Sequence, residues 1–439
     1  MTRFGSVGAW VALGVVASCG GEGARNGASG SASATGDDGI GSITATGEGT
    51  GNVEDADAGD DDVKLDAASH NDLGIEGCGN EGGGGVDGAD TEGSEVDFSF
   101  IWIANSGEGT MSKIDTVTME EVGRFIVRPD SLGNPSRTSV NLSGDVAIAN
   151  RAGGVTKVYA VEERCVDANG NGTIETSTSA TFLPWGQDEC VAWHTPFAVE
   201  SQRPVAWAPG TWNPSSCAYD NEDLWTATGT SAGGIDVHLL NGEDGVSLGS
   251  VHIPEMTFDG YGIYGGAVDG EGNFWGSNLG GGFLAYVNKE TLDYRVWPVP
   301  ISGYGMTVDS DGYVWVCSYD IARFDPESET WQTATVNGSG GCMGDGAGKI
   351  WMASNPLVAV DTQTLQVVQT IPIPSYAHGV SIDFYGYVWG VSLYEPYAYR
   401  VDPATQVVDT FTGLVMPYTY SDMTGFALKN AGTIPMPQG

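Results

Sequence analysis

The stretch VDSDGYVWVCSYDIARFDPESETW, residues 308–331, contains an Asp, a Gly three positions later and a Trp three positions after that. The same Asp-x-x-Gly-x-x-Trp spacing occurs four times, at intervals of 40, 36 and 38 residues, beginning at Asp269, Asp309, Asp345 and Asp383. A fixed period in this range indicates supersecondary units that stack on one another. Degenerate copies begin at Asn141 and Lys429.

Each copy predicts a β-hairpin. The segments GMTV (305–308) and YVWVCS (313–318) are short, apolar and rich in β-formers, while Asp and Gly between them suit a tight turn. A second turn, with Asp or Asn three positions before Thr or Ser, begins at Asp115, Asn288, Asp325, Asp361 and Asp402. Two hairpins per period indicate the four-stranded blade of a β-propeller. We expect the repeated Asp and Trp residues to cap turns and pack between blades.

The blades can be counted along the chain. Six segments read as complete or interrupted blades: 136–200, 204–254, 263–300, 303–336, 340–374 and 378–414. Residues 100–127 lack a first strand, and the chain ends with an orphan one, MTGFALKNAG (423–432). We therefore predict an all-β, seven-bladed propeller over 98–430, with 419–428 as the innermost strand of the blade begun by 99–127. Such closure removes exposed sheet edges. Residues 431–439 are predicted to be a tail.

The N-terminus is typical of an exported protein. Arg3 precedes a short apolar run that ends in small residues, as in a secretory signal. Val16-Ala17-Ser18-Cys19 resembles the lipobox of bacterial lipoproteins, which implies a signal peptide over 1–18 and lipidation at Cys19. The alternative is an exported protein with an incidental Cys. Since Gly20 follows the Cys, the resemblance favours the outer membrane.

Residues 20–97 differ in composition from the rest of the chain. They hold 19 acidic and 2 basic residues among Gly, Ser and Ala, which predicts a disordered tether over 19–97. The formal net charge of the chain is −40. This acidity argues against nucleic-acid binding and against docking on anionic lipid, so membrane contact is expected only through the lipid. We expect a monomer.

Six cysteines remain besides Cys19, an even number that predicts disulfides in an exported chain. Cys165 and Cys190 bracket an insertion at about 161–192, and Cys317 and Cys342 lie on strands of consecutive blades. This leaves Cys78 and Cys217 as the third predicted disulfide.

The insertion contains the first half of an EF-hand-type calcium loop, DANGNGTI (167–174). Short oxygen side chains at alternate positions suit calcium, although Thr178 replaces the usual Glu at the twelfth position. A Cys165–Cys190 disulfide can bring another carboxylate there. The predicted ligands of a structural calcium ion are Asp167, Asn169, Asn171 and the Thr173 carbonyl, with Asp188 or Glu189. The alternative is a polar Asn/Gly turn.

The repeat, best seen in GVSIDFYGYVWGVSLYEPYAYRVDPATQ (379–406), resembles the propeller family of virginiamycin B (streptogramin) lyase and NHL-type repeats. In that family a magnesium ion, with His and Glu side chains near the central channel, carries an elimination. The His residues fall just before the first-strand Gly. Here only His378 fits that pattern. The equivalent positions elsewhere are Ser136, Tyr264, Tyr304, Gly340 and Thr424.

Two functions therefore remain open. The first is a non-enzymatic lipoprotein of the cell envelope that binds a partner protein or surface ligand at a channel rim formed by Tyr264, Tyr304 and His378. The second is a metal-dependent lyase or lactonase-like enzyme, with His378 as its candidate catalytic residue and magnesium as its cofactor. One His does not supply both the base and the anion stabilisation that an elimination needs.

Overall fold

The computed structural model describes residues 99–213, 218–280 and 282–432. The predicted signal peptide, the tether, Cys78, Cys217 and residues 433–439 lie outside the described residues. Seven antiparallel sheets follow one another along the chain, and a small two-stranded sheet accompanies the third. Consecutive sheets contact one another in sequence, and Trp389 of the last sheet packs with Ile101 of the first, so the sheets form a ring. The predicted seven-bladed propeller is confirmed.

The strands are numbered in chain order. Blade 1 contains β1 (Phe100–Asn105), β2 (Thr110–Asp115) and β3 (Glu121–Ile126). Blade 2 contains β4 (Pro135–Val140), β5 (Val146–Asn150), β6 (Val155–Val158) and β7 (Val191–Thr195), with a 3-10 turn at Glu162–Arg164 in its insertion. Blade 3 contains β8 (Ser201–Trp207), the separate hairpin β9 (Thr211–Asn213) and β10 (Ala218–Asp220), then β11 (Leu224–Thr230), β12 (Gly234–Leu240) and β13 (Ser247–His252).

The last four blades have regular four-stranded sheets, in chain order from the inside outwards. Blade 4 contains β14 (Ile263–Val268), β15 (Phe274–Asn278), β16 (Gly282–Val287) and β17 (Tyr294–Val299). Blade 5 contains β18 (Gly305–Val308), β19 (Val314–Cys317), β20 (Asp320–Asp325) and β21 (Thr330–Thr335). Blade 6 contains β22 (Cys342–Gly344), β23 (Lys349–Met352), β24 (Leu357–Asp361) and β25 (Val367–Ile371). Blade 7 contains β26 (Ala377–Ile382), β27 (Val388–Ser392), β28 (Tyr397–Val401) and β29 (Val408–Thr412).

The repeated Asp and Trp residues have the structural roles that the sequence predicts. In each clear copy, one Asp oxygen accepts the backbone N–H groups two and four residues later, as at Asp309 with Asp311 (3.0 Å) and Tyr313 (2.9 Å). The other oxygen accepts the indole N–H of the buried Trp, at 2.7 Å for Trp315. The same indole contact occurs in the other copies at Trp275, Trp351 and Trp389. The motif thus joins a turn to the packing between blades.

The propeller has two mouths. We call the end where the innermost strands begin the upper mouth, and the end with the Asp turns the lower mouth. The second turns of the blades also lie at the lower end, where Asp115 accepts the backbone N–H groups of Val117 (2.9 Å) and Thr118 (2.7 Å). The corresponding turns of blades 4 to 7 show the same capping, at Asn288, Asp325, Asp361 and Asp402.

The C-terminal segment closes the ring, as predicted, but not as a regular strand. The Trp102 N–H donates to the carbonyl of Met423 at 2.9 Å, and Asn105 forms an isolated antiparallel bridge with Pro417. Residues 417–423 therefore occupy the innermost position of blade 1. The prediction of a strand over 419–428 is wrong in its second half, because Phe426–Asn430 form a short helix, α1.

Asp422 explains the change from extended chain to helix. Its carboxylate accepts the N–H groups of Thr424 (3.2 Å) and Gly425 (2.9 Å), and Gly425 turns the chain with a φ of 89°. The helix and its end then cross the lower mouth, where the Gly432 N–H donates to Asp309 O at 2.8 Å and Gly432 O accepts from Gly270 at 2.9 Å. The degenerate repeat copy at Lys429 is therefore part of this closure and not a hairpin turn.

Two of the three predicted disulfides lie within the described residues, and both are confirmed: Cys165 is bonded to Cys190, and Cys317 to Cys342. The second joins the β18–β21 blade to the β22–β25 blade. Disulfides indicate an oxidising environment of the kind that exported proteins meet. Within the described residues, no helix is long and apolar enough to cross a membrane.

Candidate functional site

The three predicted rim residues come together at the upper mouth. Tyr264 is the second residue of β14, Tyr304 immediately precedes β18, and His378 is the second residue of β26. The Tyr264 hydroxyl donates to the Tyr304 hydroxyl at 3.2 Å, and the Tyr304 hydroxyl is hydrogen-bonded to His378 Nε2. Equivalent positions of blades 4, 5 and 7 thus place their side chains at one point, as the repeat predicts.

Two further tyrosines complete this cluster, and the sequence reasoning missed both. The Tyr418 hydroxyl lies 2.6 Å from that of Tyr264 and 2.7 Å from that of Tyr304. The ring of Tyr420 stacks on Tyr264 with centroids 5.5 Å apart. Both belong to the closing segment, where alternating tyrosines in PYTYSD (417–422) were the available signal. We call Tyr264, Tyr304, His378, Tyr418 and Tyr420 the tyrosine cluster.

The remaining equivalent positions do not contribute functional groups to the cluster. Gly340 has no side chain. Thr424 lies lower in the channel, where its hydroxyl is 3.3 Å from that of Ser381. The assignment of Thr424 as the equivalent position in the closing segment is therefore wrong, because the irregular path of this segment brings Tyr418 and Tyr420 to the mouth instead. Ser136 is buried, and its hydroxyl has no hydrogen-bond partner.

Arg137 lies beneath the tyrosine cluster and is 1% exposed. Its Nη2 donates to the carbonyl of Tyr264 at 3.2 Å, and its guanidinium stacks on the rings of Tyr420 and Tyr264. Its Nε has no hydrogen-bond partner, and no described Asp or Glu forms an ion pair with it. Burial lowers the pKa of Arg137 to about 9, so the guanidinium stays charged at neutral pH.

The titration of the cluster decides which chemistry it can perform. Burial, followed by the nearby Arg137 charge, lowers the pKa of His378 to about 3, so the imidazole is neutral at physiological pH. Burial also raises the pKa of Tyr304 and of Tyr418 above the ordinary value. General bases work best when their pKa lies near the operating pH. At neutral pH the cluster therefore offers hydroxyl groups and a neutral imidazole, and no strong base.

The cluster does not fit a magnesium ion of the kind that the family resemblance implies. Magnesium is bound in proteins chiefly through carboxylates, with water and phosphate oxygens. Among the described residues, no Asp or Glu is hydrogen-bonded to Tyr264, Tyr304, Tyr418 or His378. The charged Arg137 beneath the rings would also repel a divalent cation. Apart from His378, tyrosines and an arginine lie where the family resemblance implies several His and Glu side chains.

The predicted calcium loop is a compact turn on the surface. Asp167 accepts N–H groups from Gly170 (2.6 Å) and Gly172 (2.8 Å), and both glycines have positive φ. The side-chain amides of Asn169 and Asn171 donate to Glu175, at 2.7 and 2.8 Å. Glu175 occupies the ninth position of the loop and was not among the predicted ligands. Thr173 belongs to the same turn, and its backbone N–H donates to Asn171 Oδ1 at 2.8 Å.

The two carboxylates proposed for the missing twelfth position are placed differently. Glu189 faces the loop and accepts the N–H groups of Ala168 (2.9 Å) and Glu175 (3.0 Å). Asp188 is turned the other way and accepts from the N–H and the hydroxyl of Ser177. No group of three His, Cys, Asp or Glu side chains that could hold a metal ion is found in the described part of the chain. Calcium binding stays a prediction, with Glu189 better placed than Asp188.

Removing calcium tests whether the loop at residues 167–178 binds this ion. A ligand that binds only the folded state stabilises it by mass action, so chelation should lower the melting temperature if the loop binds calcium. Asp167→Ala should remove that difference. Asp361→Ala is the matched control, because Asp361 also accepts turn N–H groups, from Gln363 and Thr364, but lies outside the loop. A calcium response in Asp167→Ala equal to that of the parent would exclude the site.

Comparisons with known proteins found solved structures that are similar at low sequence identity. No family model and no curated protein matches this chain. A catalytically inactive virginiamycin B lyase from Staphylococcus aureus with quinupristin is 13% identical, with a TM-score of 0.45 over 63% of this chain and 84% of that one. AztD from Citrobacter koseri is 12% identical, with a TM-score of 0.46; the match covers 74% of this chain and 97% of AztD. A functionally unknown protein from Desulfotomaculum acetoxidans is 10% identical, with a TM-score of 0.49; the match covers 73% of this chain and 98% of that protein.

These similarities agree with the family resemblance that the repeat predicts, at the level of the fold alone. Sequence identities this low carry no activity from one propeller to another. The chain is a seven-bladed β-propeller, and its structural neighbours include virginiamycin B lyase.

Proposed function

We propose that this protein is a non-enzymatic binding protein of the cell envelope and takes a small ring-bearing ligand at the upper mouth. The observation that carries the proposal is the aromatic rim around the tyrosine cluster. Tyr261, Tyr376 and Tyr394 are 43%, 37% and 50% exposed. Their rings lie 5.8 to 6.0 Å from Tyr264, His378 and Tyr418 of the cluster. Exposed rings around buried hydroxyl groups can stack on a flat ligand and hydrogen-bond its polar end.

A metal-dependent lyase or lactonase-like enzyme is the second candidate. His378 at the upper mouth and the similarity in fold to virginiamycin B lyase favour it. The low pKa of His378 counts against it, as does the lack of any described carboxylate bonded to this side chain. An elimination requires a group that removes a proton near neutral pH, whereas burial raises the pKa of Tyr304 and of Tyr418 and keeps both protonated there.

Two measurements on the same protein test the proposal. Benzamide and benzoate serve as minimal ring-bearing probes, and at least one of them should raise the melting temperature with increasing concentration. Changing both Tyr261 and Tyr394 to Ala should abolish that effect, because both are exposed rim residues with little share in the core. Incubation with quinupristin and magnesium should leave quinupristin intact by mass spectrometry. Conversion of quinupristin to a ring-opened product, lost in His378→Ala, would establish the lyase instead.

We also propose that Cys19 anchors the protein by lipid, in the outer membrane, with residues 19–97 as a tether. The proposal is supported by the lipobox-like sequence and by the two disulfides, which fit an oxidising, exported environment. A lipid anchor places the propeller at a membrane surface without any membrane-spanning helix.

The anchor predicts an all-or-none change in location. Cys19→Ser should move the protein from the membrane fraction to the soluble fraction and abolish labelling with a fatty-acid probe. Ser18→Ala is the matched control, because it changes a neighbouring residue and leaves the modified Cys in place. Membrane association of Cys19→Ser equal to that of the parent would contradict lipidation.

A further inference from the structure

Three arginines surround the tyrosine cluster, and none of them has an acidic partner among the described residues. Arg203 stacks on Tyr261 and Tyr264, with its guanidinium carbon 4.8 Å from each ring centroid. Arg151 lies 4.6 Å from the ring centroid of Tyr418. Arg137 lies beneath the cluster. The hydrogen bonds of Arg151 and Arg203 go only to Asn134 and to the Ser201 hydroxyl. The three side chains therefore bring three positive charges to one mouth.

This concentration of unpaired charge is unusual for a chain with 57 acidic and 17 basic residues. The arginines elsewhere in the propeller are mostly ion-paired, for example Arg124 with Glu121, Arg164 with Asp145 and Arg400 with Asp409. Burial and then repulsion from Arg203 lower the pKa of Arg151. The arrangement therefore costs free energy in the ligand-free protein, and a bound anion would recover part of it.

The surrounding groups also suit an anion. The Tyr420 hydroxyl has no hydrogen-bond partner among the described residues and can donate its proton to a ligand. Arg137 contributes charge from below without direct access to solvent. Guanidinium groups pair with carboxylate and phosphate oxygens through two parallel N–H groups. Arg151, which is half-buried, and Arg203, which is buried and lies next to the exposed Tyr261, are the two arginines nearest the rim.

We propose that the ligand of the upper mouth carries a carboxylate or phosphate group on its ring, and that Arg151 and Arg203 bind this anion while Arg137 supports it from beneath. This inference rests on the proposed function, since it names the class of ligand for the same mouth. The rim tyrosines would stack on the ring of the ligand, and the arginines would pair with its carboxylate or phosphate group.

Matched pairs of small molecules test the inference. Melting temperatures of the full chain are measured in benzoate and in benzamide, at constant ionic strength set with sodium chloride. Benzoate should stabilise the protein at concentrations at least tenfold lower than benzamide. Arg151→Gln and Arg203→Gln should each raise the apparent dissociation constant for benzoate roughly tenfold, as expected for loss of one charged hydrogen bond. Phenyl phosphate in place of benzoate distinguishes a phosphate site from a carboxylate site by its relative affinity.

Arg323→Gln is the matched control, because Arg323 also has no acidic partner in the part of the chain that the structure describes. It lies away from the upper mouth, against Tyr313 and the carbonyl of Thr362. Its benzoate response should equal that of the parent. Equal stabilisation by benzamide and benzoate would overturn the anion inference and leave the binding function standing. Failure of every ring-bearing probe would overturn both. A benzoate response unchanged in Arg151→Gln and Arg203→Gln would show that the anion binds elsewhere.

Discussion

Deleting residues 419–439 is expected to abolish cooperative folding of the propeller. The deletion removes Tyr420, Met423 and Leu428, which are at most 6% exposed, and leaves the inner edge of β1 without its partner. Loss of one large buried side chain costs about 2–5 kcal/mol. Three such losses approach the whole stability of a typical domain, about 5–15 kcal/mol. Thermal melts followed by near-ultraviolet circular dichroism should show no sharp transition.

The control for this deletion is a chain that ends at Gly432. It keeps the closing segment, α1 and the contacts of Gly432 with Asp309 and Gly270. Its melting temperature should match that of the full chain. A cooperative melt of the 419–439 deletion within a few degrees of the parent would show that blade 1 is stable with three strands, and would refute closure by the C-terminus.

Replacing Trp389 by Ala is expected to cost about 3–5 kcal/mol of unfolding free energy. The side chain is fully buried and packs with Ile101, Ile103 and Ile114 of blade 1, so it joins the last blade to the first. Its indole N–H donates to Asp383 at 2.8 Å. The substitution removes both the packing and the partner of a buried carboxylate. Denaturant unfolding of the parent and the variant would measure the loss.

Trp389→Phe separates the two contributions. It keeps most of the aromatic packing but removes the indole donor, and it should cost less, about 1–3 kcal/mol for the unsatisfied Asp383 oxygen. Asp383→Asn combined with Trp389→Phe should then be less damaging than the sum of the single changes, because the two residues form one hydrogen bond. Strict additivity would mean that the Asp–Trp contact adds nothing to stability.

The fold could be predicted from the sequence because its signals are local and repeated. The Asp, Gly and Trp of each copy act within one hairpin, as the contacts of Asp309 and Trp315 show. The closing segment occurs once and follows an irregular path, so no repeat could place Tyr418 and Tyr420. Helix α1 has five residues, too few for a helical period to be recognised.

The positive charge of Arg137 at the candidate site could not be predicted from the sequence, for a different reason. Arg137 lies in an ordinary-looking strand, PSRTSV, and nothing in these letters shows which groups surround it. Its guanidinium faces tyrosine rings because blade 2 packs near blade 4 and the closing segment in the folded propeller. Such long-range contacts are not visible in the sequence of one strand. Tyr264 and Tyr304, by contrast, lie at equivalent repeat positions, so the pattern that revealed the blades also brought them together.

The described chain begins at Ser99, whose carbonyl accepts the N–H of Thr116 at the lower end of blade 1. The polypeptide that precedes Ser99 is therefore attached to the face opposite the tyrosine cluster. Under the lipid anchor proposed at Cys19, the propeller would be attached to the membrane by its lower end. The upper mouth lies at the other end of the propeller from Ser99, so the proposed anchor and the proposed ligand site would be on opposite faces.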